Sequence, residues 1–454
     1  VQDLTSGSLA RNVLKMSSFM LVGMVFQTLY FLVDLYFVGR LGRDAVAAVS
    51  VSGNLTFLVL AATQTLGVGT TALIAQAVGR RDRDQARLLF NQSQALSLIV
   101  GAAFLLVMLA LRGRYAHTLA ADPHTASLAD DYLAWFVPAM AMQFPLASST
   151  AALRGTGNFK PGMVIGSGTV VLNTILAPIL ITGAGTGRPM GVAGAGLASL
   201  IAIVAGVLAV TVYVIRHEQY LQVVAAELRP RLASWGHMLK IGLPAGAEFA
   251  LMGLYMMVVY ALSRPFGAEA QAGFGIGLRL VQAGFMPVVA LGFAVSPVAG
   301  QNFGARLPDR VRETFRVGAL MASGFMLALT VLCQVMPRAL IGTFSPDPHV
   351  QDVGAEYLRI TSLNFLASGI IFVSSSMFQA LGNTVPPLLS SFARILLVAI
   401  PATLLSRQPG FQLRWIWYLT VGSSLVQVSS NLLLLRREYA RKLAPAPALV
   451  QAGA

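Results

Sequence analysis

A chain of 454 residues that is 56% hydrophobic and only 11% charged, with a mean hydropathy of +0.70, is too apolar for an ordinary water-soluble domain. Its net charge of +14 would suit a nucleic-acid binder. However, the basic residues lie in short loops between apolar runs, where membrane topology puts them, so no nucleic-acid partner is expected. The single cysteine, Cys333, excludes an internal disulfide and a cysteine-ligated metal cluster.

Taken in order, Val1 to Asn12 is polar and leads straight into a full-length apolar run, so no cleaved signal is expected. The runs have the length of about 20 residues that a helix needs to cross a bilayer, not the ten-residue alternation of an outer-membrane barrel. Within the first, the stretch FLVDLYFVGRLG from Phe31 to Gly42 holds one carboxylate, Asp34. Inserting an acid at mid-bilayer depth costs roughly 2.5–3.5 kcal/mol, so such groups face a cavity or a partner and serve ions or substrates. The alternative, that Asp34 reaches an interface near Arg40 or Arg43, would need a longer stem than aspartate has.

Six spans are predicted at roughly 16–38, 46–78, 88–111, 130–153, 161–183 and 191–215. After a polar connector, Arg216 to Lys240, six more follow at roughly 241–263, 270–303, 315–337, 355–379, 386–406 and 413–435. The second and eighth runs exceed a single crossing and are expected to tilt or to continue beyond the bilayer. Lysines and arginines of alternate loops, among them Arg80, Arg81, Arg154, Lys160, Arg229, Arg306 and Arg436, outnumber those on the other side about two to one. Both termini are therefore expected in the cytoplasm, with the chain in the plasma membrane, a bacterial inner membrane.

One internal repeat orders the whole chain. Leu14-Lys15 recurs as Leu239-Lys240, Gly42 as Gly267, Gln76 as Gln301, Gly79 as Gly304 and Arg87 as Arg312, each displaced by 225 residues. The same shift carries Asp122-Pro123-His124 onto Asp347-Pro348-His349, Tyr132-Leu133 onto Tyr357-Leu358 and Gly157-Asn158 onto Gly382-Asn383. Six spans per half make the repeats parallel, related by a pseudo-twofold along the membrane normal, an arrangement of transporters that rock about a central site. The expected division is an amino-terminal lobe at 1–215, the connector at 216–240, and a carboxy-terminal lobe with a short tail at 241–454.

The end of the first span, Val33-Asp34-Leu35-Tyr36-Phe37-Val38-Gly39-Arg40-Leu41-Gly42, the loops AQAVG and GQNFG, and the Gly-Asn-x-x-Pro loops resemble the multidrug and toxic compound extrusion (MATE) family. The resemblance implies an all-α membrane protein with twelve helices in two six-helix lobes. It also implies efflux of amphipathic, often cationic, organic compounds in exchange for H⁺ or Na⁺ by a monomer among membrane lipids, without enzymatic activity or cofactor. The family's amino-lobe cation site maps onto Asp34, Asn173 and Ser199. Many relatives carry a second acid four residues after the asparagine, where this chain has Ala177. A metal ion wants several oxygen ligands and a proton needs one carboxylate, so the departure points to H⁺. The position equivalent to Asp34 in the second half is Val259, which places ion coupling in one lobe.

Glu248, after Pro244, either attracts a cationic substrate in the cleft or pairs with Arg279 or Arg394. Those arginines and Arg359 would suit the alternative of a lipid-linked oligosaccharide flippase if they lined a cavity; near helix ends they more often snorkel. Tyr255, Met256 and Phe144 are candidate cleft residues, methionine being adaptable, and Pro145 and Pro178 are candidate hinges. The five histidines fall in loops or at span ends, so no metal site is expected, and no nucleotide-binding GxxxxGK[ST] loop occurs.

Overall fold

The computed structural model describes residues 2–120, 122–184 and 187–443, and within them every regular element is a helix. Helix α1 (Leu9–Gly39) starts at Ser8, whose hydroxyl accepts from the Arg11 amide. It is followed by α2 (Arg43–Val51), α3 (Gly53–Gly79), α4 (Arg83–Leu119), α5 (Pro123–Gly155), α6 (Lys160–Thr182) and α7 (Val192–His217). The second half comprises α8 (Leu232–Ser263), α9 (Gly267–Gly304), α10 (Pro308–Val335), α11 (Pro337–Gly342), α12 (Pro348–Ser362), α13 (Phe365–Ala380), α14 (Val385–Leu405) and α15 (Leu413–Lys442). The connector contributes one 3-10 turn, Ala225–Leu228, and α8 begins within the segment read as connector.

Among the described residues, nine helical stretches are long and apolar enough to cross a membrane, and α12 with α13, bent by 55°, makes a tenth. The 73-residue stretch Leu232–Gly304 would be about 110 Å long as one helix, more than three hydrocarbon thicknesses, and it turns at Arg264–Phe266. It is two crossings. Helix α5 is the 225-residue counterpart of the bent α12–α13 pair, which completes six spans in each half. Leucines on the outer faces stay uncovered by protein, as at Leu106 (71% exposed) and Leu320 (73%), which suits a surface solvated by lipid tails.

The repeat extends to single hydrogen bonds. Asp122 and Asp347 each cap the helix they precede, accepting from the amides of Thr125 and of His349 and Val350. The bonds from the Thr125 amide and hydroxyl hold the Asp122 carboxyl below the usual carboxylate range. At the other end of α5, the Asn158 amide bonds the Leu153 carbonyl and the Gly157 amide that of Arg154; Asn383 and Gly382 repeat this on Phe378 and Gln379. That closure needs a left-handed residue, and Gly157 (φ 78°) and Gly382 (φ 72°) supply it. Helices α3 and α9 end the same way on Arg81 (φ 60°) and Arg306 (φ 56°).

Across the pseudo-twofold, the halves meet where α3 and α9 finish, at the end bearing most of the basic loops. A Cβ on Gly79 would collide with the Gln301 carbonyl oxygen, and one on Gly304 with that of Gln76. The side chains reciprocate: Gln76 Nε2 donates to Ala380 O at 2.8 Å and Gln301 Nε2 to Gly155 O at 3.0 Å. The segment before α1 crosses the same seam. Leu4, fully buried, donates its amide to Gln301 Oε1 at 3.0 Å and accepts from Asn302 Nδ2 at 3.1 Å, while the Gln2 amide reaches Thr156 O.

The connector is strapped to the first half. Asn91 on α4 bonds Gln222 O and the Val224 amide, Gln92 bonds Arg229 O and the Arg231 amide, and Arg87 pairs with Glu227 at 3.0 Å. Both Asn91 and Gln92 are fully buried, so these bonds are worth more than exposed ones.

Gly304→Val should force the seam apart, since backbone cannot yield as a flexible side chain does, at a cost of about 1–3 kcal/mol. The check is labelling of Gln301→Cys by a membrane-impermeant maleimide applied from the basic-loop side. Labelling should rise severalfold in the Gly304→Val background, and an unchanged rate would contradict the packing.

Candidate functional site

Helix α1 packs along α6 and touches α7, and α7 lies against α5. This arrangement buries three polar residues from three helices: Asp34 (8% exposed), Asn173 (0%) and Ser199 (0%). Ser199 is joined to α1 through Tyr30, whose hydroxyl lies 2.6 Å from Ser199 Oγ. Tyr30 stands one helical turn before Asp34, so both side chains share a face of α1. Tyr132, from α5, is buried in the core of the same half.

Asp34 Oδ1 and both polar atoms of the Asn173 side chain are buried without a hydrogen-bond partner among the described residues. Leaving such atoms unpaired costs about 1–3 kcal/mol each, a cost that packing alone would remove by placing apolar residues there. The second half does so. Shifted by 225, Asp34 becomes Val259 and Asn173 becomes Val398, both buried in one apolar cluster. Tyr30 becomes Tyr255, which keeps a hydroxyl partner, Thr420 Oγ1 at 2.8 Å. The same scaffold is therefore built with a valine pair in one half and an acid with an amide in the other.

Tyr30 and Tyr132 escaped the sequence reading. The repeat flagged Tyr132 without a role, and the four-residue spacing from Tyr30 to Asp34 was the available signal.

In the second half, Glu248 accepts from Ser375 Oγ at 3.2 Å and Ser391 Oγ at 3.1 Å. Ser391 in turn accepts from Gln427 Nε2, and Gln427 Oε1 accepts from Arg394 Nη1 at 3.2 Å. Arg394 lies over the Tyr255 ring, 4.9 Å from its centroid. Glu248 and Arg394 are thus linked through two neutral side chains and not as an ion pair. Arg279 and Arg359 are exposed, so the three intraspan arginines do not converge on one cavity.

Of the candidate cleft residues, Met256 is partly buried and Tyr255 belongs to this network. Phe144 does not line a cleft: it is packed in the core of the first half, 5.9 Å ring to ring from Phe104, because α4 covers that face of α5. Helices α5 and α6 run continuously through Pro145 and Pro178.

The MatE family model matches the chain twice, over residues 20–179 and 244–405, in registers that agree with the repeat. Among curated proteins, the chain is 28% identical over 410 residues to the "Probable multidrug resistance protein YoeA" of Bacillus subtilis, covering 88% of this chain and 87% of that protein. It is 24% identical over 406 residues to the "FAD transporter" of Shewanella oneidensis, covering 88% of each. Among solved structures it superimposes on an outward-facing multidrug resistance MATE family transporter with a TM-score of 0.87, at 23% identity and covering 98% of both chains. On a MATE structure in a bent conformation the TM-score is 0.89, at 24% identity and covering 96% of this chain and 97% of that one.

The bond between Tyr30 and Ser199 gives a direct test of this packing. Tyr30→Phe strands a buried hydroxyl and should cost about 1–3 kcal/mol of stability, whereas adding Ser199→Ala should recover part of that loss. A double-mutant cycle on unfolding in detergent is expected to give a coupling of about 0.5–1.5 kcal/mol. Simple additivity would show that the two groups do not interact.

Proposed function

The chain belongs to the MatE family, and we propose that it is a secondary antiporter exporting amphipathic organic compounds in exchange for protons, with Asp34 as the coupling carboxylate. The observation that carries this reading is the buried, partly unpartnered acid of the first half, replaced by valine in its otherwise parallel copy. A carboxylate buried without a cation beside it is costly to keep charged, and taking up a proton removes that cost. Asn173, Ser199 and Tyr30 would orient the group. Sodium is the less favoured ion, since Ala177 withholds an oxygen where many relatives supply one.

By the excess of basic residues in its loops, the end where α3 and α9 meet is assigned to the cytoplasm. With that end clasped shut by Gly79, Gly304, Gln76 and Gln301, this conformation would correspond to access from outside. Exchange then requires that ion and drug prefer different states, because a ligand shifts an equilibrium only by its differential affinity. A hundredfold preference of the proton for one state, about 2.7 kcal/mol, suffices to reverse a modest bias.

In proteoliposomes with separately imposed gradients, wild-type protein should expel a dye such as ethidium under a proton gradient and much less under a sodium gradient. Asp34→Asn should retain the fold and bind dye, yet lose at least 90% of proton-driven exchange, on the order of one charge-cycling step removed. Wild-type rates in Asp34→Asn would refute the assignment, and sodium-driven exchange lost in the same variant would transfer it to sodium.

A further inference from the structure

A second uncompensated charge lies outside the Asp34 site. Between the halves, a small cavity of about 10 Å³ is lined by Thr71 and Arg154 from the first half and Phe293, Ser296 and Gln379 from the second. Three pairs of lining residues are related by the 225-residue shift: Val68 with Phe293, Thr71 with Ser296 and Arg154 with Gln379. The cavity therefore sits on the pseudo-twofold, at the level where α3, α5, α9 and α13 converge. Its volume admits about one water oxygen in this conformation.

Arg154 has a ring contact there, its guanidinium carbon 5.6 Å from the Phe293 centroid, and no ion pair among the described residues. It is not needed to finish the helix. The carbonyls at the end of α5 are already taken: Ala151 O by Thr71, Leu153 O by Asn158, Arg154 O by Gly157 and Gly155 O by Gln301. The end of α13 is closed in the same manner with a neutral Gln379 in the equivalent place. The fold thus furnishes its own control, and the control shows that this position does not require a cation.

The surrounding acids are engaged elsewhere. Helices α3 and α13 carry none, α9 carries only Glu269 in its first turn, and of the two acids on α5, both at its far end, Asp130 pairs with Arg112 and Asp131 is exposed. Glu248, bonded to Ser375 one turn before Gln379, is held by Ser375 and Ser391. A guanidinium with five donors and no carboxylate to receive them is the group best suited to bind a planar oxyanion.

We infer that Arg154 docks an anionic group, a carboxylate or phosphate, of the exported amphiphile at this cavity between the halves, Ser296 and Gln379 offering the opposing hydrogen bonds. This deepens the antiporter reading and rests on it. A ligand oxygen enters as the halves loosen around the axis, because the cavity is water-sized when they are clasped.

The test compares norfloxacin with its methyl ester, which share a body and differ by the carboxylate, by equilibrium binding to the full chain in nanodiscs. Wild-type protein should bind the acid about tenfold or more tightly than the ester, as a charge-assisted hydrogen bond implies. Arg154→Gln, which copies the second half, should bring the ratio close to one, and Arg154→Lys should keep part of it. No preference in wild type, a ratio unchanged in Arg154→Gln, or acid and ester affinities falling together would each overturn the inference. Loss of gradient-driven transport with the binding ratio intact would instead count against the antiporter reading.

Discussion

The close approach of α3 and α9 governs the rest of this molecule. Two glycines let each backbone rest on the carbonyl of the other helix, and two glutamines then reach past the seam to the ends of α13 and α5. In a hydrocarbon environment the usual apolar driving force between helices is absent, so association depends on close packing and on hydrogen bonds with nowhere else to go. The clasp supplies both in one place. It also puts Gly155 and Ala380, and hence Arg154 and Gln379 beside them, on the axis about which the halves are arranged.

Much of this could be read in the chain because a repeat constrains twice. Gly79 with Gly304 and Gln76 with Gln301 stood out as pairs, and they prove to be the groups that touch. Asp122 and Asp347 were legible as caps, since an Asx-Pro step before an apolar run has few other uses. What the sequence hid were contacts between residues of no fixed spacing. Phe144 looked like a cleft residue because aromatics suit such surfaces, yet which face of α5 is covered depends on where α4 lies, and periodicity does not carry that. Asn91 and Gln92 were equally silent, since nothing in a polar pair at the start of a span announces that it grips a loop more than 130 positions away.

The amino site was legible as residue types and not as geometry. Asp34 is conspicuous because acids are rare in apolar runs, and Asn173 and Ser199 came with the family resemblance. Tyr30, which fastens Ser199 to α1, is an unremarkable aromatic until α7 is placed against it. Where the halves differ, comparison separates what the scaffold needs from what it tolerates for another purpose. The tyrosine with a hydroxyl partner appears in both and belongs to construction; the acid, the amide and the axial arginine appear in one.

The strand of chain before α1 has a consequence in time. Residues 2–7 leave the ribosome well before the groups that hold Leu4 and Gly7, namely Gln301, Asn302 and Arg310, which are synthesised some 300 residues later. At ≈ 5–20 residues per second, the segment spends on the order of 15–60 s with a buried leucine still exposed and its backbone unpaired. It can settle only after the eighth crossing has entered the bilayer and come alongside the first half. Its docking is thus a late event of biogenesis, a keystone set after the arch, and it makes the segment before α1 report on whether the two halves have met.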